Sequence, residues 1–191
     1  MKFLNIKKLH EGKFIDRYDA QYELEDGSIK NYELISRNRN LQRQDDLPAK
    51  NPDAVVIIAT DESGERILIS REFRMAVGEW VYNFPAGIIE PGEKIEDAAV
   101  RELSEETGLE LYEMNDFIPL SYSAVGFSNE SNVCIVGKAR GEFKKSSSLE
   151  EEIVPGFFTK KEISEMLKTE RFSVRCQTYL YLWSKGIEQG R

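Results

Sequence analysis

Four charged residues fall within six positions of this chain: Arg101, Glu102, Glu105 and Glu106. The stretch reads as a helix, and at about 100° per residue the three glutamates share roughly a third of its circumference. That arrangement is costly for a helix with only a structural role. Glu102 and Glu106 are like charges at i,i+4, which repel by about 0.2–0.5 kcal/mol. Glu105 and Glu106 also occupy the last turn before Gly108, where the negative end of the helix dipole disfavours anions. Arg101 alone is not enough to offset three carboxylates. A divalent cation would do so, because carboxylate oxygens suit Mg²⁺ or Mn²⁺ and Mg²⁺ is held by a few carboxylates plus substrate phosphates. A solvated acidic helix face is the competing reading, and the charge pattern by itself does not separate the two.

Spacing adds more. Residues 87–109 read GIIEPGEKIEDAAVRELSEETGL. Gly87, Glu93, Arg101, Glu102, Leu103, Glu105, Glu106, Gly108 and Leu109 stand at the defined positions of the Nudix box, and on those residues the chain resembles the Nudix hydrolase family, its ADP-ribose pyrophosphatase-like group in particular. The resemblance implies a Nudix α/β/α sandwich and hydrolysis of a nucleoside diphosphate linked to another moiety. It also implies a loop–helix–loop that binds Mg²⁺, with Glu102 and Glu106 as main ligands and Glu105 beside them. Local signals agree: Glu90-Pro91-Gly92 is a turn, and Gly108 suits a left-handed helix cap.

Cutting a pyrophosphate requires neutralised phosphates, an aligned water and a group that takes its proton. The only histidine, His10, lies on a polar segment near the start, so the base must be a carboxylate. Glu150, Glu151 and Glu152 are the candidates, Glu151 first, because crowded like charges raise the pKa of at least one of them. The resemblance places an acidic loop here that supplies the base and a metal ligand, and it counts Glu105 and Arg101 of the box with the catalytic set. It further implies that the Ala86 carbonyl, in Pro85-Ala86-Gly87, binds metal, that Arg74 contacts phosphate, and that Arg37 helps hold the adenosine end. Ser128 and Glu130, in Gly126-Phe127-Ser128-Asn129-Glu130, match an element near the terminal ribose. Two positions depart from the group. Val125 stands where a proline marks ADP-ribose specificity, and Asn83 stands where an acid is frequent; both bear on substrate choice rather than on the metal ligands.

These residues need a scaffold. The first forty residues alternate polar and apolar positions around Asp26-Gly27 and predict a small antiparallel sheet. The expected organisation is an N-terminal β subdomain over 1–45, serving dimerisation or the substrate edge, and a Nudix domain over 46–191. In the latter, 55–60, 66–73, 80–87, 111–122, 133–139 and 153–158 predict strands and 94–107 the box helix. A further helix begins at Thr159, where Thr159 and Glu162 form a capping box, and a last one over 173–185 is expected to pack through Val174, Tyr179, Leu182 and Trp183. The polar 141–152 reads as a mobile loop. The fold class is α/β, a mixed sheet between helices.

At 191 residues with 40% hydrophobic and 31% charged content, the chain can bury a substantial core. Its net charge of −8 argues against a nucleic-acid binder. Cys134 and Cys176 lack metal-ligand spacing and read as small buried hydrophobes, which fits a reducing, cytoplasmic compartment. The first fourteen residues contain no long apolar run, so neither a signal peptide nor a membrane span is expected there. The expected activity is Mg²⁺-dependent (or Mn²⁺-dependent) hydrolysis of ADP-ribose to AMP and ribose 5-phosphate by a homodimer. Another nucleotide sugar, a dinucleotide or an oxidised nucleotide is the alternative within that class. A non-catalytic ADP-ribose-binding sensor is the alternative outside it.

Overall fold

A computed structural model describes residues 1–146 and 152–187. The chain forms two compact units, one of residues 1–54 with 119–133 and one of residues 55–118 with the described residues from 134 onward.

In the first unit β1 (Lys2–His10), β2 (Asp16–Glu23) and β3 (Ile29–Ser36) form an antiparallel sheet in that order. The period-2 pattern of β2 turns Tyr18 and Ala20 inward, where they pack with Leu34 and Leu41. The expected turn joins β2 to β3: Gly27 takes φ +81°, and Ser28 donates both its N–H and its hydroxyl to Asp26. The loop before Glu130 lies along β3, with the Ile35 N–H donating to the Phe127 carbonyl.

The second unit is built on a seven-stranded mixed sheet. Its members are β4 (Ala54–Thr60), β5 (Arg66–Arg74), β6 (Glu79–Asn83), β7 (Ala86–Ile88), β8 (Glu110–Tyr122), β9 (Ser131–Arg140) and β10 (Ile153–Thr159). The order is β10-β5-β4-β9-β8, with β6 paired to β5 and β7 to β4. Among the described residues, three helices complete it: α1 (Ile95–Thr107), α2 (Lys160–Thr169) and α3 (Val174–Ser184). Val56, Ile58, Ile67 and Ile69 pack against Ile163, Cys176, Leu180 and Trp183, so the even positions of β4 and odd positions of β5 face α2 and α3. Alternation turns the other set to the opposite face. There α1 buries Ala98, Ala99 and Leu103. The α/β/α layering expected from the sequence is thus observed.

The capping box of α2 forms as read, with Thr159 accepting from the Glu162 N–H and the Glu162 carboxylate accepting from the Thr159 N–H. The packing side of α3 agrees with expectation at Tyr179 and Trp183, which pack against the core, and differs elsewhere. Val174 and Leu182 are exposed, and Cys176, Leu180 and Trp183, spaced i, i+4, i+7, form the buried stripe. Both cysteines are free and buried, and loss of solvent pushes their thiol pKa values up. Among the described residues, no helix is long and apolar enough to cross a membrane.

Candidate active site

The acidic helix α1 is held to the loop before it by one side chain. Arg101 meets Glu93 through a fork, Nε to Oε1 and Nη2 to Oε2, both at 2.9 Å. Its Nη1 donates to Glu102 at 2.8 Å and Glu105 at 3.3 Å, and Nη2 also donates to the Ile88 carbonyl at 3.0 Å. One guanidinium therefore neutralises more of this cluster than charge counting suggested. What favours a cation at this helix is burial and shape rather than net charge.

Glu93 also closes the turn at Pro91-Gly92: its carboxylate accepts from the Glu90 N–H, and Gly92 takes φ +85°. The Arg101 bonds first, and then the Glu90 N–H, hold the Glu93 carboxyl down from 4.5 to about 2. A depressed carboxyl contributes stability that is complete above its unfolded pKa and lost as pH falls through the folded one. The expected result is a melting temperature that drops between about pH 4.5 and 2. A Glu93→Gln variant, less stable at neutral pH, should show a flatter profile that meets the parent's near the acid end. Thermal melts across that range check it.

Glu106 is only 6% exposed, in the last turn of a helix whose C-terminal end already repels anions. A carboxylate buried there is stabilised by positive charge, which a bound cation would supply. Shape points the same way at Glu102. Its carboxylate occupies the place where any side chain on Gly87 would sit: a Cβ there would lie 1.8 Å from Glu102 Cδ and 2.1 Å from each carboxylate oxygen. Gly87 follows Ala86 in β7, so a cradle of main chain receives the Glu102 carboxylate one residue from the carbonyl expected to bind metal.

These donors are hard oxygens, and they fit Mg²⁺ or Mn²⁺. Among the described residues, no three acidic, histidine or cysteine side chains are already gathered as a cage. Glu102, Glu106 and the Ala86 carbonyl would hold the ion with water and substrate phosphates completing its shell, which is how Mg²⁺ is commonly bound. Glu105 is half exposed and tied to Arg101.

Of the expected bases, Glu150 and Glu151 lie outside the described residues. Glu152 is exposed, and its carbonyl accepts from the Phe73 N–H at 3.1 Å. The Lys144 N–H donates to the Thr107 carbonyl at the end of α1. Arg74 stands at the end of β5, with Nη1 3.2 Å from Glu72. The sequence reading did not single out Glu72, which is 5% exposed and lies two residues beyond the buried run Ile67 to Ser70 of β5.

In the first unit, Arg37 and Glu130 come together, Nε to Oε1 at 2.7 Å. With Ile15, Ile35, Ala124 and Phe127 they line a cavity of about 260 Å³ that Ser128 also borders. Apolar walls around one ion pair are the usual make-up of a small-molecule site. Val125 is exposed, and Asn83 accepts a hydrogen bond from Ser173.

Residues 50–175 match the NUDIX domain family. An ADP-ribose pyrophosphatase of Bacillus subtilis is 30% identical over 129 residues, covering 68% of this chain and 61% of that protein. An ADP-sugar pyrophosphatase of Mus musculus is 32% identical over 103 residues, covering 52% of this chain and 44% of that protein. The chain thus spans about half of the length of these relatives. A solved structure described as an ADP compounds hydrolase superimposes with a TM-score of 0.73 over all of this chain and 97% of that one, at 20% identity, a likeness of fold.

Proposed function

The chain belongs to the Nudix family, and from that premise we propose that it hydrolyses the pyrophosphate of a nucleoside diphosphate sugar, ADP-ribose first among them, to AMP and ribose 5-phosphate. The observation that carries this reading is the Glu102 carboxylate lodged against Gly87 beside a buried Glu106. Relatives bearing pyrophosphatase names on ADP-ribose and ADP-sugars support the substrate class.

In this proposal Glu102, Glu106 and the Ala86 carbonyl hold Mg²⁺ or Mn²⁺, with Glu105 and Glu151 at its margin. The ion, when bound, neutralises phosphate charge and lowers the pKa of a coordinated water. Arg101 keeps the Glu102 carboxylate in place through its 2.8 Å bond. Arg74 binds phosphate, and Arg37, Ser128 and Glu130 bind the rest of the substrate. A loop carboxylate, Glu151 with Glu150 and Glu152 as alternates, takes the proton from the attacking water. The water oxygen bonds one phosphorus, and the bridging oxygen leaves with the other phosphate. We assign the protein to a reducing cytoplasm on its two free, buried cysteines. We also assign it a homodimer through the N-terminal sheet, whose unit exposes Leu4, Leu9, Phe14 and Ile15.

The test is incubation with Mg²⁺ and ADP-ribose, followed by a screen of other nucleotide sugars, dinucleotides and nucleoside triphosphates. AMP release from ADP-ribose is the expected result. A preference for triphosphates would overturn the substrate, and tight ADP-ribose binding without AMP would replace the enzyme by a sensor.

A further inference from the structure

Strand β5 buries a charge that packing alone does not call for. Its sequence RILISREFR places Ile67, Leu68 and Ile69 in the core, then Ser70 and Glu72, both buried. Alternation puts Ser70, Glu72 and Arg74 on one face of the strand and Ile67 and Ile69, which meet α2 and α3, on the other. A valine or isoleucine would fill position 72 without desolvating a carboxylate.

We propose that Glu72 is a positioning residue that orients the Arg74 guanidinium toward the substrate's pyrophosphate. The inference rests on the reading of Arg74 as a phosphate ligand.

The backbone at both ends of this contact is fixed. Glu72 pairs with Val81 on one side and Ile153 on the other, and the next N–H, of Phe73, donates to the Glu152 carbonyl. Arg74 pairs with Glu79, and its carbonyl accepts from the N–H groups of Val77 and Gly78 in the turn that follows. What remains free is the long Arg74 side chain, which is 59% exposed beyond the strand end. The Glu72 carboxylate meets its Nη1 at 3.2 Å. That contact engages one donor and leaves the Nε and Nη2 edge for a bidentate grip on phosphate oxygens. An arginine ordered before the ligand arrives loses less freedom on binding, so the gain is in affinity. Such a gain holds in ground and transition states alike, and removing it raises KM with little change in kcat.

The experiment compares Glu72→Ala, Glu72→Gln, Arg74→Ala and the double variant Glu72→Ala/Arg74→Ala in the full chain. Turnover of ADP-ribose with Mg²⁺ is measured beside calorimetric binding of an ADP-ribose whose bridging oxygen is replaced by methylene. Glu72→Ala is expected to raise KM and the analogue's Kd by about tenfold, with kcat within about threefold. Glu72→Gln, which keeps an acceptor oxygen, should recover most of that loss and stays informative if the alanine variant folds poorly. In the Arg74→Ala background, Glu72→Ala should have no further effect. An equal loss in both backgrounds would overturn the proposal, because Glu72 would then act without Arg74. An unchanged Kd in Arg74→Ala would overturn it at its premise and leave the hydrolase reading intact. Absence of both turnover and binding in the parent protein would remove the hydrolase reading itself.

Discussion

A Glu106→Gln variant is expected to lose about 10³-fold in turnover and to melt no lower than the parent. The two halves of that expectation come from different physics. Gln keeps the size of the side chain and the packing of a residue that is 6% exposed, so no cavity opens. It removes a negative charge from the last turn of α1, where the helix dipole opposes it, and it ends the i,i+4 repulsion with Glu102, worth about 0.2–0.5 kcal/mol. On structural grounds alone the neutral residue is equal or better. A cation coming to the charge gives it a catalytic use, and a weaker metal ligand forfeits part of the charge stabilisation of the transition state, for which single-group losses run to about 10²–10³. Calorimetry with Mn²⁺ in the absence of substrate separates the causes, because the variant should bind the ion more weakly before any chemistry occurs. Full turnover in Glu106→Gln would return α1 to a solvated acidic face.

What the sequence made legible followed from fixed spacing. The box positions predicted the turn before α1, the helix and its left-handed end, and each is found: Gly92 and Gly108 both take positive φ. Three things were hidden. The reach of Arg101 depended on Glu93, eight residues earlier, being brought back by the turn; charge counting along a helix sees only i±3 and i±4 neighbours. Glu72 was hidden because whether a strand residue is covered depends on its partners, here β6 and β10, which come later in the chain. On α3 the run Tyr179-Leu180-Tyr181-Leu182-Trp183 is apolar all round, so periodicity could not choose a face, and packing selected Cys176, Leu180 and Trp183.

Gly87 and Gly108, toward the two ends of the box, should respond to alanine in opposite ways. Gly108 serves the fold. Its φ of +78° is unfavourable for an L residue by about 1–2 kcal/mol, and an added Cβ would also lie 2.8 Å from the Lys144 backbone nitrogen. Gly108→Ala should therefore lower the melting temperature, with activity falling only as the protein unfolds. Gly87 is not among the positive-φ glycines, so its backbone accepts an alanine without strain. The three atoms nearest to a Cβ there are the carboxylate atoms of Glu102, at 1.8 and 2.1 Å. They form the far end of a flexible side chain and can swing aside, an off-rotamer shift costing about 0.5–1.5 kcal/mol. The fold survives, but Glu102 leaves the cradle and its 2.8 Å bond to Arg101. Displacing a reacting group by about 1 Å can cost about 10²-fold in rate. Gly87→Ala should thus keep nearly the parent's melting temperature while losing about 10²-fold in turnover and binding Mn²⁺ more weakly. If Gly87→Ala retains both metal affinity and turnover, the position of the Glu102 carboxylate against β7 has no part in the chemistry.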